Sequence, residues 1–256
     1  MGKLLGHQIK NHFKYNWFIP VLPIALIIFG LLFSNVNNSI GDSAIVLGMM
    51  ALMFGYMAAA ITVIVGDYNM FFGDSALFYE STPISPSAKT FSRFLYYLIM
   101  FIVYSLYLGL MFYLFMFVPS VDGGVVNITW ADISKAINEV GVRNILVMLA
   151  WVLISLFNSI ISIIFAVTLG GGKKLRRFGL GGPVLVYIGL GLVEGAVLYV
   201  LDKFDLFTNM ELFLNNGDVF MRGMGIGIGI LIPMLLETIA LFFAVYYMHK
   251  NRISVN

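Results

Sequence analysis

Six stretches of this chain, residues 17–34, 44–66, 95–118, 145–169, 183–201 and 223–248, run on with hardly a charge. A helix needs about 20 apolar residues to cross the hydrocarbon core of a bilayer, and each stretch is close to that length or beyond it. Inside lipid a backbone N–H or C=O finds no water, so a spanning segment of this kind satisfies itself as an α-helix. Composition agrees: 60% of the residues are hydrophobic and 11% are charged, where soluble domains carry about 45–50% and about 25%. So few charges cannot cover the surface of a water-soluble fold. The expected fold class is all-α: a polytopic membrane protein of six transmembrane helices forming one transmembrane domain over residues 1–256.

The placement of the cations sets the direction of the spans, because Lys and Arg concentrate in cytoplasmic loops. Lys3, Lys10, Lys14, Lys89, Arg93, Lys173, Lys174, Arg176, Arg177, Lys250 and Arg252 fall on one side. Lys135, Arg143, Lys203 and Arg222 fall on the other. This bias places both termini in the cytoplasm. Nothing at the N-terminus reads as a cleaved signal peptide, since the first apolar run holds Pro20 and Pro23 and lacks an Ala-x-Ala-like site.

Ahead of the first span, KLLGHQIKNHFKYNW sets Leu5, Ile9, Phe13 and Trp17 on one helical face and Lys3, His7, Lys10 and Lys14 on another. An apolar stripe beside a basic face suits a helix lying flat in the membrane interface, so residues 1–16 are expected to form an interfacial elbow helix. On the outer side, residues 119–142 hold a capping-box pattern at Thr129 and Asp132, which predicts a short helix. Residues 202–222 form a second outer segment, apolar enough to lie against the bilayer.

Several chemistries are missing. There is no cysteine, which removes disulfides, thiolate metal sites and thiol catalysis. A P-loop needs Ser or Thr after its Gly-Lys, and in GGGKKLRR that place is taken by Lys174. This segment reads as a Gly-rich turn with a basic flank facing lipid headgroups. His7 and His12 stand five apart and do not share a face as i,i+4 metal ligands would, and there is no His-Glu-x-x-His or Gly-x-Ser-x-Gly. The expectation is no catalytic residue, no metal site, no cofactor in this chain and no enzymatic activity of its own.

Glu194 and Glu237 lie inside apolar spans that contain no Lys or Arg, although an ionised carboxylate there costs several kcal/mol. Each stands about 16 Å from the inner end of its span at 1.5 Å per residue, and Asn158 falls at a similar level. Two readings fit equally: a polar patch on a translocation path, or hydrogen bonding that fastens helices together. Gly191 with Gly195, Gly223 with Gly227 and Gly225 with Gly229 are small-xxx-small pairs, expected to serve close helix packing.

The largest hydrophilic interruption in the first half of the chain is residues 67–94, between the second and third spans. Asp74 can cap a short helix that Pro83 ends. Ser85 can cap the next, with Pro86 at its first position, where the missing N–H costs nothing. The first of these helices is expected to turn Leu77, Phe78 and Tyr79 toward the cytoplasm.

With its basic elbow, six spans, FYESTPISPSAKTFSRFL after the second span and an outer excursion before the sixth, the chain resembles a type-2 ABC transporter permease. The outer excursion at 119–142 is longer than that pattern expects. The resemblance implies that residues 67–94 hold the coupling helix, which sits in a cleft of a separate cytoplasmic ABC ATPase. Contact would fall on Asp74, Leu77, Phe78, Tyr79, Glu80, Ser81, Pro83, Ile84 and Ser85. It also implies a second permease subunit, the same or different, with ATP and magnesium on the ATPase. Cargo would leave along a path formed mainly by the first, second and fifth spans. A hydrophobic or amphipathic cargo, peptides included, fits a path so rich in Phe and Met, and no nucleic acid is involved. The expected location is the cell membrane, a bacterial plasma membrane by the same resemblance. Rival expectations are an ion-coupled secondary transporter using Glu194 and Glu237, and a non-transporting immunity or anchor protein.

Overall fold

The computed structural model describes residues 2–34, 36–73, 75–76, 79, 85–116, 134–135, 142–203 and 228–251. Over these residues the chain is helical, with no strand. It divides into two units, Met1–Val126 and Asn127–Asn256.

The first unit holds α1 (Gly2–Asn16), α2 (Phe18–Ser34), α3 (Asn38–Phe71) and α4 (Pro86–Met116). Helices α1 and α2 meet at Trp17 with a bend of 42°. Pro20 explains the break. Its ring lacks the N–H that would bond to the carbonyl of Asn16, four residues back, and crowds that carbonyl as well. Beside the break the Asn16 side-chain amide donates to the His12 carbonyl at 3.0 Å, and the Tyr107 hydroxyl donates to the Pro20 carbonyl.

Helices α2 and α3 form a tight antiparallel hairpin. Asn37 caps α3, its Oδ1 accepting from the N–H of Ser39 at 3.1 Å and of Ile40 at 3.3 Å. Glycine permits the closeness of the two helices. A Cβ on Gly30 would stand 2.8 Å from the Gly41 carbonyl oxygen, and one on Gly41 would stand 2.5 Å from the Ser34 Cα. These hairpin glycines carry the close packing of the first unit.

The second unit holds α5 (Val142–Gly170), a 3₁₀ turn (Arg176–Phe178), α6 (Gly181–Lys203) and α7 (Ile228–Asn251). Helix α5 is central, with α6 and α7 packed on it and Ile160, Ile161, Ile164 and Val167 buried beneath them. Helix α6 is nearly all exposed. A Cβ added to Gly191 or Gly195 would meet nothing within 4 Å, so this pair packs against no helix inside the unit. Gly223, Gly225 and Gly227 lie outside the described residues.

Five helices, α3 to α7, are long and apolar enough to cross a membrane, and up to six spans result if the bent α1–α2 pair counts as one. Helix α2, at 17 residues, is short on its own. The outward faces carry large apolar side chains such as Leu32, Phe54, Leu106 and Leu192, as suits a chain whose solvent is lipid. The protein is a multi-pass helical membrane protein. Helix α3 is 34 residues and α4 is 31, or about 50 Å and about 45 Å at 1.5 Å per residue. The hydrocarbon core is about 30 Å, so both overhang it.

Candidate functional site

The ends of α3 and α4 that flank the predicted coupling segment are fastened to each other. Asp67, in the last turns of α3, and Arg93, in the second turn of α4, form an ion pair in which neither side chain is exposed. Arg93 Nε donates to both carboxylate oxygens, at 2.9 and 3.2 Å, and Nη2 donates to Oδ2. The Tyr97 hydroxyl donates to the same oxygen at 3.1 Å. The guanidinium carbon lies 4.9 Å from the centre of the Phe71 ring. A bidentate Arg–carboxylate pair fixes direction as well as distance, so the two helix ends behave as one piece.

Helix α1 closes over this clamp with a polar face. Gln8 and His12 are buried, together with Leu4. Ser92 Oγ donates to Gln8 Oε1 at 3.1 Å. The His12 ring lies between two tyrosines, with Nε2 2.9 Å from the Tyr104 hydroxyl and Nδ1 3.2 Å from that of Tyr96. Burial lowers the His12 pKa from 6.5 to about 4. The ring is therefore neutral, with one nitrogen donating and the other accepting. The expected apolar stripe of Leu5, Ile9 and Phe13 is only half buried, and the basic face is exposed. Contacts advance along α4 as α1 advances: Gln8 meets Ser92, His12 meets Tyr96 and Tyr104, and beyond the bend Pro20 meets Tyr107. The helix is docked on α4 by these contacts.

Of the predicted coupling residues, Tyr79 and Ser85 are described; Asp74, Leu77, Phe78, Glu80, Ser81, Pro83 and Ile84 lie outside the described residues. Ser85 caps α4 as expected, its Oγ accepting from the Ala88 N–H at 3.3 Å, and Pro86 is the first helical residue. Tyr79 departs from expectation. It is 7% exposed, packed with Leu4, Met70 and Phe71, with its ring 5.9 Å from that of His7. An aromatic residue at the water-facing end of a helix pair is worth more under a neighbouring helix than in water, and α1 supplies the cover. Burial also raises its phenol pKa.

No family model matches this sequence, and neither a curated protein nor a solved structure is significantly similar to it. The geometry therefore carries the functional reading by itself.

In the second unit the three polar residues singled out within the spans come together. Asn158 Nδ2 donates to Glu237 Oε2 at 3.2 Å and to the Met234 carbonyl at 3.4 Å. Ser162 Oγ donates to Asn158 Oδ1 at 3.5 Å. The Glu194 side chain lies near that of Glu237. One residue from each of α5, α6 and α7 thus meets at one level. Both glutamates are partly exposed, so the cluster is open on one side. Among the described residues no group of three His, Cys, Asp or Glu could hold a metal ion.

Asp67, Gln8, His12 and Tyr97 were not legible as site residues. A polar residue on an amphipathic helix reads as water-facing, and Arg93 reads as one more cytoplasmic cation. The available signal was Asp67 itself, an acid at the inner edge of a span where the neighbouring charges are basic.

Proposed function

We propose that this chain is the membrane-spanning permease subunit of an ATP-driven exporter. It moves an amphipathic or hydrophobic cargo outward, and a separate cytoplasmic ABC ATPase supplies the work. The observation that carries the reading is the clamp of Asp67, Arg93 and Tyr97, which joins the two helices on either side of residues 72–85. A segment braced in this way passes a push at its tip to both helices, where a solvated connector would absorb it. Buried Tyr79 supports the reading as the anchor that ties the segment to α1 and α3, leaving the flanking residues to meet the ATPase. The exposed Gly191 and Gly195 face of α6 suits a second permease copy, because small residues let backbones approach.

The test is reconstitution with a candidate ATPase and labelled amphipathic peptide. Uphill cargo movement should require ATP and the companion. Phe78→Ala and Glu80→Ala should lower cargo-stimulated ATP hydrolysis while helical content stays unchanged. Robust uphill movement by the chain alone would overturn the proposal.

A second reading has its own support in the meeting of Glu194, Glu237 and Asn158. Two neighbouring carboxyls inside a span suit coupling to an ion gradient. Transport that follows a proton gradient without ATP, and that Glu237→Gln abolishes, would favour it.

A further inference from the structure

The turn between α5 and α6 carries Lys173, Lys174, Arg176 and Arg177, all exposed. No acidic residue occurs in the sequence between Glu139 and Glu194. Among the described residues no carboxylate pairs with these four cations.

The turn cannot reach far from the helix ends. The Gly170 and Gly182 backbones touch, so that a Cβ on Gly182 would stand 2.4 Å from the Gly170 carbonyl oxygen. Between them the chain is knotted by successive backbone bonds, Leu175 and Arg176 to Gly172, Phe178 to Leu175 and Gly179 to Arg176. It reverses at Gly179, whose φ of 54° is open to glycine. Both flanking helices are spans, so the cations are held at the level where the spans leave the membrane.

Two apolar side chains share this surface. Phe178 is 46% exposed and Leu180 is 44% exposed, and the Arg177 guanidinium lies 4.7 Å from the centre of the Phe178 ring. Cations around exposed rings and aliphatic groups suit the boundary between headgroups and acyl chains, where phosphate meets the first and hydrocarbon the second.

We propose that residues 171–180 form a docking site for anionic phospholipid of the adjacent leaflet. The four cations hold the phosphates, and Phe178 and Leu180 enter the acyl boundary. A knot this short offers an acidic protein partner little to grip, so lipid is the favoured occupant. Each cation near an anionic leaflet raises occupancy by about five-fold. A site of four should therefore discriminate strongly between phosphatidylglycerol and phosphatidylcholine.

The experiment places the full chain in nanodiscs of equal phosphatidylglycerol and phosphatidylcholine and weighs the lipid it retains by native mass spectrometry. The chain should retain phosphatidylglycerol at least about five-fold over phosphatidylcholine. The K173Q/K174Q/R176Q/R177Q variant should lose that preference, while K3Q/K10Q/K14Q should keep most of it. Added salt should erode the preference of the unmodified chain, a measurement that stands even where the fourfold variant folds poorly. Equal enrichment in the fourfold variant, or indifference to salt, would overturn the proposal. So would a fourfold variant that keeps its lipid and instead releases a co-purifying cytoplasmic subunit.

Discussion

Arg93 stays charged in any protein environment, so whatever buries it must supply its counter-charge. Asp67 does so, and removing either partner leaves the other stranded. Asp67→Ala or Arg93→Ala should each destabilise the chain by about 3–5 kcal/mol, read as a lowered melting temperature in detergent. Replacing both with apolar residues, as in D67L/R93M, should recover much of that loss. His12 gives a second prediction at this scale. Its folded pKa lies at about 4 and its ordinary one at 6.5, so the unfolded chain takes up the proton first as pH falls. The ring therefore costs nothing above about pH 6.5, and stability is lost progressively between there and about pH 4. The loss amounts to at most about 3 kcal/mol. His12→Gln should flatten that part of the stability profile, measured by melting at stepped pH. These groups were hard to read in advance because single-residue chemistry does not say which face of a helix meets protein. Glu194, Glu237 and Asn158 were easier, because a lone acid in an apolar span has few places to go.

At the scale of helices, the apolar runs marked the spans well and their ends poorly. Hydropathy stops near residue 66 and resumes near 95, but α3 runs to Phe71 and α4 begins at Pro86. The extra turns hold charged and polar residues because protein, not lipid, surrounds them. Helix α1 was legible as a helix with two faces and has three. Residues 4, 8 and 12 meet protein, 5, 9 and 13 are half open, and 3, 7, 10 and 14 are exposed. An apolar stripe marks the buried side of a helix in water, but beside lipid it marks the outside. The glycines divide in the same way. Gly30→Leu should break the α2–α3 hairpin and lower the melting temperature sharply. Gly191→Leu should leave melting unchanged and weaken self-association, measured by cross-linking in the membrane. Tyr79→Ala should leave the spans intact but make the segment after α3 more susceptible to protease.

For the molecule as a whole, the clamp and α1 belong to the first unit, and the carboxyl cluster belongs to the second. The two main readings of function therefore separate experimentally. Under the ATP-driven reading, Asp67→Asn should uncouple ATP hydrolysis from cargo movement, while Glu194→Gln alters cargo handling and leaves basal hydrolysis alone. The all-helical fold class and the five long apolar helices followed from the spacing of apolar runs, because lipid permits few alternatives. Partners do not follow in that way, since a docking surface is set by another molecule's shape.

The docking of α1 bears on how the protein is made. Gln8 and His12 bond to residues 84 and 92 positions further along the chain. The N-terminal helix leaves the ribosome before its berth has been synthesised. It must wait, polar side uncovered, until the third long apolar segment has been threaded into the bilayer. Only then can the first residues of the chain take their final place.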